Sequence, residues 1–186
     1  LCSLVKLKEK PLKVNKQHKF MAIIPAHNEQ AVVGNLIECL KNQDYNKDLY
    51  DIYVIADNCT DNTARIARNA GAIVYERFDE TKKTKGYALD WFLKQKIKED
   101  AQYDAICIFD ADNIADKNFL KAMNKKLCQG EDVVQGYRDI KNPTDNWITS
   151  GYALFYWTNH RFYHLARYNL GLSPMLNGTG FMVNFN

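Results

Sequence analysis

Phe20-Met21-Ala22-Ile23-Ile24-Pro25-Ala26-His27-Asn28-Glu29 is the stretch on which the fold turns. Its apolar start is too short for a helix and has no polar alternation, so it reads as a strand buried on both faces, as in a parallel sheet. Pro25 closes the run, and a polar cluster follows at once. The same order of events recurs downstream. Asp51–Ala56 is a second strand and runs into Asp57-Asn58-Cys59-Thr60-Asp61; Ala72–Tyr75 is a third. Asp104–Phe109 is a fourth and runs into Asp110-Ala111-Asp112-Asn113, and Asp132–Tyr137 is a fifth. Helical stripes alternate with these strands. Val33, Leu36, Ile37 and Leu40 mark a helix within Gln30–Gln43, and Thr60 or Asp61 caps one that Gly71 ends. Gly86–Ile97 carries Ala88, Leu89, Phe92 and Leu93 on one face, and Asp116 caps a helix through Leu127. Repeated strand–helix units predict an α/β fold with a parallel sheet and helices on both faces. Ligands in such sheets bind beyond the carboxyl ends of the strands.

The 186 residues, 46% of them apolar, suffice for one domain with its own core. A formal charge of +3 excludes a highly charged disordered chain and gives no support to nucleic-acid binding. No apolar run approaches the ~20 residues of a membrane span, so neither a membrane helix nor a signal peptide is expected. The five cysteines form no C-x-x-C pair, which points to reduced thiols and a cytoplasmic location. Residues 1–19 hold six lysines against Glu9 and form a basic lead-in. It reads as a solvated, loosely ordered segment or as one lying near anionic headgroups. The start at Leu1 and the stop at Asn186 read as cuts in a longer chain.

Chemistry is expected where the strands finish. The polar clusters after the first, second and fourth strands meet on one rim and crowd carboxylates into one crevice. Such crowding calls for a cation or hydrogen-bond donors. Asp110 and Asp112 leave a buried strand as Asp-x-Asp, so one can hold backbone donors while the other reaches a hard cation. Few oxygen ligands suit magnesium or manganese, whose other positions go to water and phosphates. Lys82, Lys83 and Lys85 form a basic patch before a helix, and Lys85 with the helix N-terminus can meet a phosphate. Neither a P-loop nor a G-x-G-x-x-G is present.

Pro25-Ala26-His27-Asn28-Glu29, Asp57-Asn58-Cys59-Thr60-Asp61, Lys85-Gly86-Tyr87-Ala88-Leu89 and Asp110-Ala111-Asp112, in this order, resemble the nucleotide-binding half of a family 2 glycosyltransferase with the GT-A fold. The resemblance covers about residues 20–185. It implies a mostly parallel GT-A-like sheet, with the nucleotide-binding half complete and the acceptor half partial. Residues 20–186 would then be a C-terminally truncated catalytic domain. The implied reaction is transfer, with inversion, of a sugar from a nucleotide-diphosphate donor, most often a UDP-sugar. A saccharide or lipid-linked acceptor would receive it, in polysaccharide or cell-envelope glycan synthesis at the cytoplasmic face of a membrane. Membrane attachment would come from segments outside this fragment. By the same resemblance Pro25, Ala26 and Glu29 line the nucleoside pocket, Asp57 accepts a hydrogen bond from the base, and Lys85 lies near the nucleotide or its phosphates. Asp112 binds the manganese or magnesium that bridges the diphosphate, with Asp110 beside it on the sugar side.

Two positions depart from the pattern: Ala56 replaces the first of a pair of acids, and Thr84 stands where glycine often precedes the lysine. Asn177-Gly178-Thr179-Gly180-Phe181-Met182 resembles the turn and strand before the family's Glu-Asp pair, which supplies the general base. That pair is expected beyond Asn186, so no catalytic residue is assigned. The alternatives are a metal-dependent phosphatase using Asp110 as nucleophile and Asp112 as acid, and a non-catalytic nucleotide-sugar-binding module. Residues 147–170 are dense in aromatics at roughly helical spacing and predict a helix packed on the sheet. An acceptor-sugar platform and a membrane-facing surface are the other readings. His160 and His164 lack the glutamate of a zinc motif, and His27 reads as a packing and hydrogen-bonding residue.

Overall fold

The computed structural model describes residues 14, 16–173 and 175–185. β1 (Phe20–Ala26), β2 (Tyr50–Asp57), β3 (Ile73–Arg77), β4 (Ala105–Ile108), β5 (Val133–Gln135) and β6 (Phe181–Asn184) form one sheet in the order β3-β2-β1-β4-β6-β5. β1 lies parallel to β2 and β4, and β2 parallel to β3, whereas β6 runs antiparallel between β4 and β5. The α/β class, the mostly parallel sheet and the helices on both faces are as expected.

Alternation along the central strands separates two cores. Phe20, Ala22 and Ile24 of β1, with Val54 of β2 and Cys107 of β4, face one side. There they meet Val33, Leu36, Ile37 and Leu40 of α1 (Val33–Lys41), Ala67 of α2 (Thr63–Asn69) and Leu120 of α4 (Phe119–Leu127). Met21 and Ile23, with Tyr53, Ile55, Ile106 and Ile108, face the other side and pack on Ala88 and Phe92 of α3 (Lys85–Lys98). Both faces of β1 are thus buried, which is why it reads as a continuous apolar run rather than an alternating one.

The element ends follow local chemistry. α1 starts at Val33, the first residue of the apolar stripe, and before it the Asp61 carboxylate accepts the Gln30 N–H at 3.2 Å. Gly71 terminates α2 in the left-handed region at φ +95°. Thr84 caps α3: it is extended at φ −111°, and its hydroxyl accepts the Tyr87 N–H. The departure from glycine at this position therefore has a structural use.

Residues 16–19 are pinned rather than loose. The Lys19 N–H donates to Asp104 at 2.7 Å, and Asn124 bonds both the His18 N–H and the Lys16 carbonyl. Burial alone would raise the Asp104 carboxyl, but the Lys19 N–H, the His18 ring and the Lys16 ammonium bring it down to about 2. Residues 1–13, with most of the basic lead-in, lie outside the described residues.

The expected packing of the aromatic segment on the sheet is corrected. α5 (Trp147–Thr158), a π-helical stretch (Asn159–His164) and α6 (Leu165–Asn169) follow one another without a break. Only Ala153 is buried among them, and neither core draws a residue from 147–170.

Candidate functional site

The carboxyl ends of β1, β2, β3 and β4 share one rim, and β6, being antiparallel, starts there. Two asparagines shape the strand exits. Asn28 and Asn58 have φ of +56° and +50°, a region asparagine tolerates better than most side chains. Each is fixed by its own amide: Asn28 Oδ1 accepts the Thr60 N–H at 2.8 Å, and Asn58 Oδ1 accepts the Asp79 N–H at 2.8 Å. His27 is exposed and bonds through Nδ1 to the Asp57 carbonyl at 2.8 Å, so it ties two loops together and is not packed.

Asp57 ends β2 almost fully buried, its Oδ1 held at 2.5 Å by Arg77 Nη1 and at 3.2 Å by the Asn58 amide. Arg77 also donates to Asp79 Oδ2 at 3.1 Å and to the Lys82 carbonyl at 2.9 Å. The guanidinium compensates the charge of Asp57, whose bonds to Arg77 and to the Asn58 amide both fall on Oδ1. Sequence reasoning overlooked Arg77 because it ended the third strand at Tyr75. Two more residues of β3 carry an arginine to the same rim as Asp57. The one cation within Glu76-Arg77-Phe78-Asp79-Glu80, at the exit of an apolar run, was the available signal.

At the end of β4, the Asp110 N–H donates to Thr179 Oγ1 at 2.7 Å, joining the Asp-x-Asp turn to the start of β6. Lys85, at the first position of α3, donates at 2.5 Å to Asp110 Oδ1 and at 2.6 Å to the Gly178 carbonyl. The structure therefore brings Lys85 and Asp110 directly together. Asp112 is exposed, its Oδ1 accepting from the neighbouring Asn113 amide at 3.1 Å, and Lys141 bonds its carbonyl. Pro25 and Glu29 are half-buried on the rim, whereas Ala26 turns its methyl into the core and contributes backbone. Among the described residues no three carboxylate, imidazole or thiol groups gather into a metal cage. A single exposed carboxylate beside a second one fits a hard cation that takes most of its ligands from phosphate and water.

Residues 21–186 match the family described as Glycosyl transferase family 2. The chain belongs to that family. A Staphylococcus aureus 4,4'-diaponeurosporenoate glycosyltransferase is 41% identical over 76 residues, covering 40% of this chain and 19% of that protein. Staphylococcus aureus TarS, solved with UDP-GlcNAc, superposes with a TM-score of 0.55 at 25% identity, over 66% of this chain and 35% of that one. A Pyrobaculum calidifontis mannosyltransferase, solved with GDP-Man and Mn2+, shares the fold with a TM-score of 0.60 at 19% identity, over 79% of this chain and 42% of that one. The chain spans about a fifth to a quarter of the length of the curated relatives it matches. Family membership leaves the phosphatase reading of Asp110 and Asp112 without support.

Proposed function

We propose that this glycosyltransferase family 2 chain holds the nucleotide of a sugar donor on the β1–β4 rim, UDP-sugars being the preferred class. One observation carries the reading. Asp57, braced by Arg77, ends β2, and the Lys85–Asp110 pair with the exposed Asp112 follows β4, so both groups belong to the same end of the sheet. The Asp57 carboxylate suits the ring N–H of uracil, and Pro25 and Glu29 bound the same nucleoside space. Lys85 divides its charge between Asp110 and the diphosphate. Asp112, with Asp110 adjoining on the sugar side, would hold manganese or magnesium, which when bound offsets charge on the departing diphosphate.

Inversion at the sugar carbon follows from attack by an acceptor hydroxyl opposite the departing UDP. The hydroxyl's proton needs a general base, a role we assign to no residue of this chain. The acceptor class proposed is a glycan or lipid-linked sugar handled at the cytoplasmic face of a membrane. Titration calorimetry with UDP tests the donor reading. The wild-type chain should bind UDP about ten-fold or more tightly with manganese than without, and Asp112→Ala should abolish that difference while leaving metal-free binding unchanged. No heat with UDP under either condition would overturn the proposal.

A further inference from the structure

We infer that Thr179 and Asn113 are positioning residues that hold the Asp112 carboxylate in the orientation in which it binds a cation. Asp112 as a cation ligand belongs to the donor reading above, on which this role rests.

Thr179 is a polar side chain in a buried place. It is 2% exposed and sits in a turn between Gly178, at φ +78°, and Gly180, at φ +62°. Its backbone is held from two sides. Gln135 Nε2 donates to the Thr179 carbonyl at 3.0 Å, and the Gly180 N–H donates to the Ile108 carbonyl of β4 at 2.8 Å. A β-branched side chain on so fixed a backbone keeps few rotamers. The Thr179 hydroxyl therefore has a set direction, toward the Asp-x-Asp turn.

A chain of three hydrogen bonds passes through it. The Asp110 N–H donates to Thr179 Oγ1 at 2.7 Å, Thr179 Oγ1 donates to Asn113 Oδ1 at 2.5 Å, and Asn113 Nδ2 donates to Asp112 Oδ1 at 3.1 Å. The two ends dictate the direction. A backbone N–H can only donate and an ionised carboxylate can only accept, so the hydroxyl proton goes to Asn113. Closing the turn does not require these side chains, because the Asn113 N–H already donates to the Asp110 carbonyl at 3.1 Å.

What the side chains add is a direction for Asp112. An exposed carboxylate turns freely unless it is held, and the Asn113 amide holds this one. Partners that orient a metal-binding group are worth about 10- to 100-fold in metal affinity. The same turn also supplies the Gly178 carbonyl to Lys85, which bonds Asp110. The residues before β6 thus fix both carboxylates of Asp-x-Asp: Asp110 through Lys85, and Asp112 through Thr179 and Asn113.

Manganese titrated at fixed UDP, followed by calorimetry, tests the role in Thr179→Val, Thr179→Ser, Asn113→Ala and the Thr179→Val/Asn113→Ala double variant. The manganese concentration that half-saturates the tighter UDP binding should rise about ten-fold in Thr179→Val and in Asn113→Ala. Thr179→Ser keeps the hydroxyl and should stay near the wild type. The double variant should lose no more than either single one, because the two side chains act through one chain of bonds. Metal-free UDP binding should match the wild type throughout, which shows that each variant has folded; should Thr179→Val not fold, Asn113→Ala decides. An unchanged manganese requirement in Thr179→Val and Asn113→Ala, losses that add in the double variant, or Thr179→Ser as weak as Thr179→Val would overturn the role alone. In the wild type, UDP heat that manganese leaves unchanged, or no heat, would instead bring down the reading of Asp112 and this role with it.

Discussion

At the scale of single residues, the Asp57–Arg77 pair decides how the rim presents itself. Both side chains are almost fully buried, so each depends on the other for compensation of its charge. Removing one partner of a buried pair costs more than the pair itself contributes. Arg77→Met should therefore lower stability by about 3–5 kcal/mol in urea denaturation, because Asp57 and Asp79 lose their cation together. Adding Asp57→Asn to it should recover part of the loss. Asp104 gives a second test. Its carboxyl is lowered from 3.8 to about 2, so it stabilises the fold above pH 4, and that stability is lost as pH falls toward 2. Asp104→Asn should cost about 2 kcal/mol at neutral pH, and the difference should vanish near pH 2 when both proteins are followed by denaturant titration. The motifs were legible at this scale because their side chains lie next to one another in sequence. Arg77 was not, since its partner is twenty positions away and only the β2–β3 register unites them.

At the scale of elements, β6 connects fold and site. Its antiparallel entry between β4 and β5 brings Thr179 to the Asp110 N–H, and Gln135 of β5 bonds both the Asn177 N–H and the Thr179 carbonyl. Gly136 follows β5 where the chains nearly touch: a Cβ there would meet the Gly180 carbonyl at 2.6 Å. Gly136→Ala should thus destabilise the protein by about 1–3 kcal/mol, read by chemical denaturation, by displacing the turn that carries Thr179. β1 to β4 and the helices between them could be read from sequence, because an apolar run and a helical stripe are local signals. The place of β6 could not. Four residues with no turn partner nearby carry no information on which strands they will join.

At the scale of the whole molecule, the 46% apolar content goes to two different ends. One part forms the two cores on either side of β1, which hold the strand ends rigidly in place. The other stays on the outside of Trp147–Asn169. Aromatic density alone does not separate these outcomes, so the sequence favoured packing on the sheet and the structure reversed it. The lead-in divides similarly: residues 16–19 are tied to Asp104 and Asn124 through backbone groups that composition does not reveal. The central claim is that one rim, at the carboxyl ends of β1, β2 and β4, binds a nucleoside diphosphate. Amide chemical shifts recorded during titration with UDP and magnesium test it most directly. The claim predicts saturable shifts at Asn28, Asp57, Lys85, Asp110 and Asp112, with the amides at the opposite ends of the strands unmoved. Shifts confined to other surfaces, or none at saturating UDP, would contradict it.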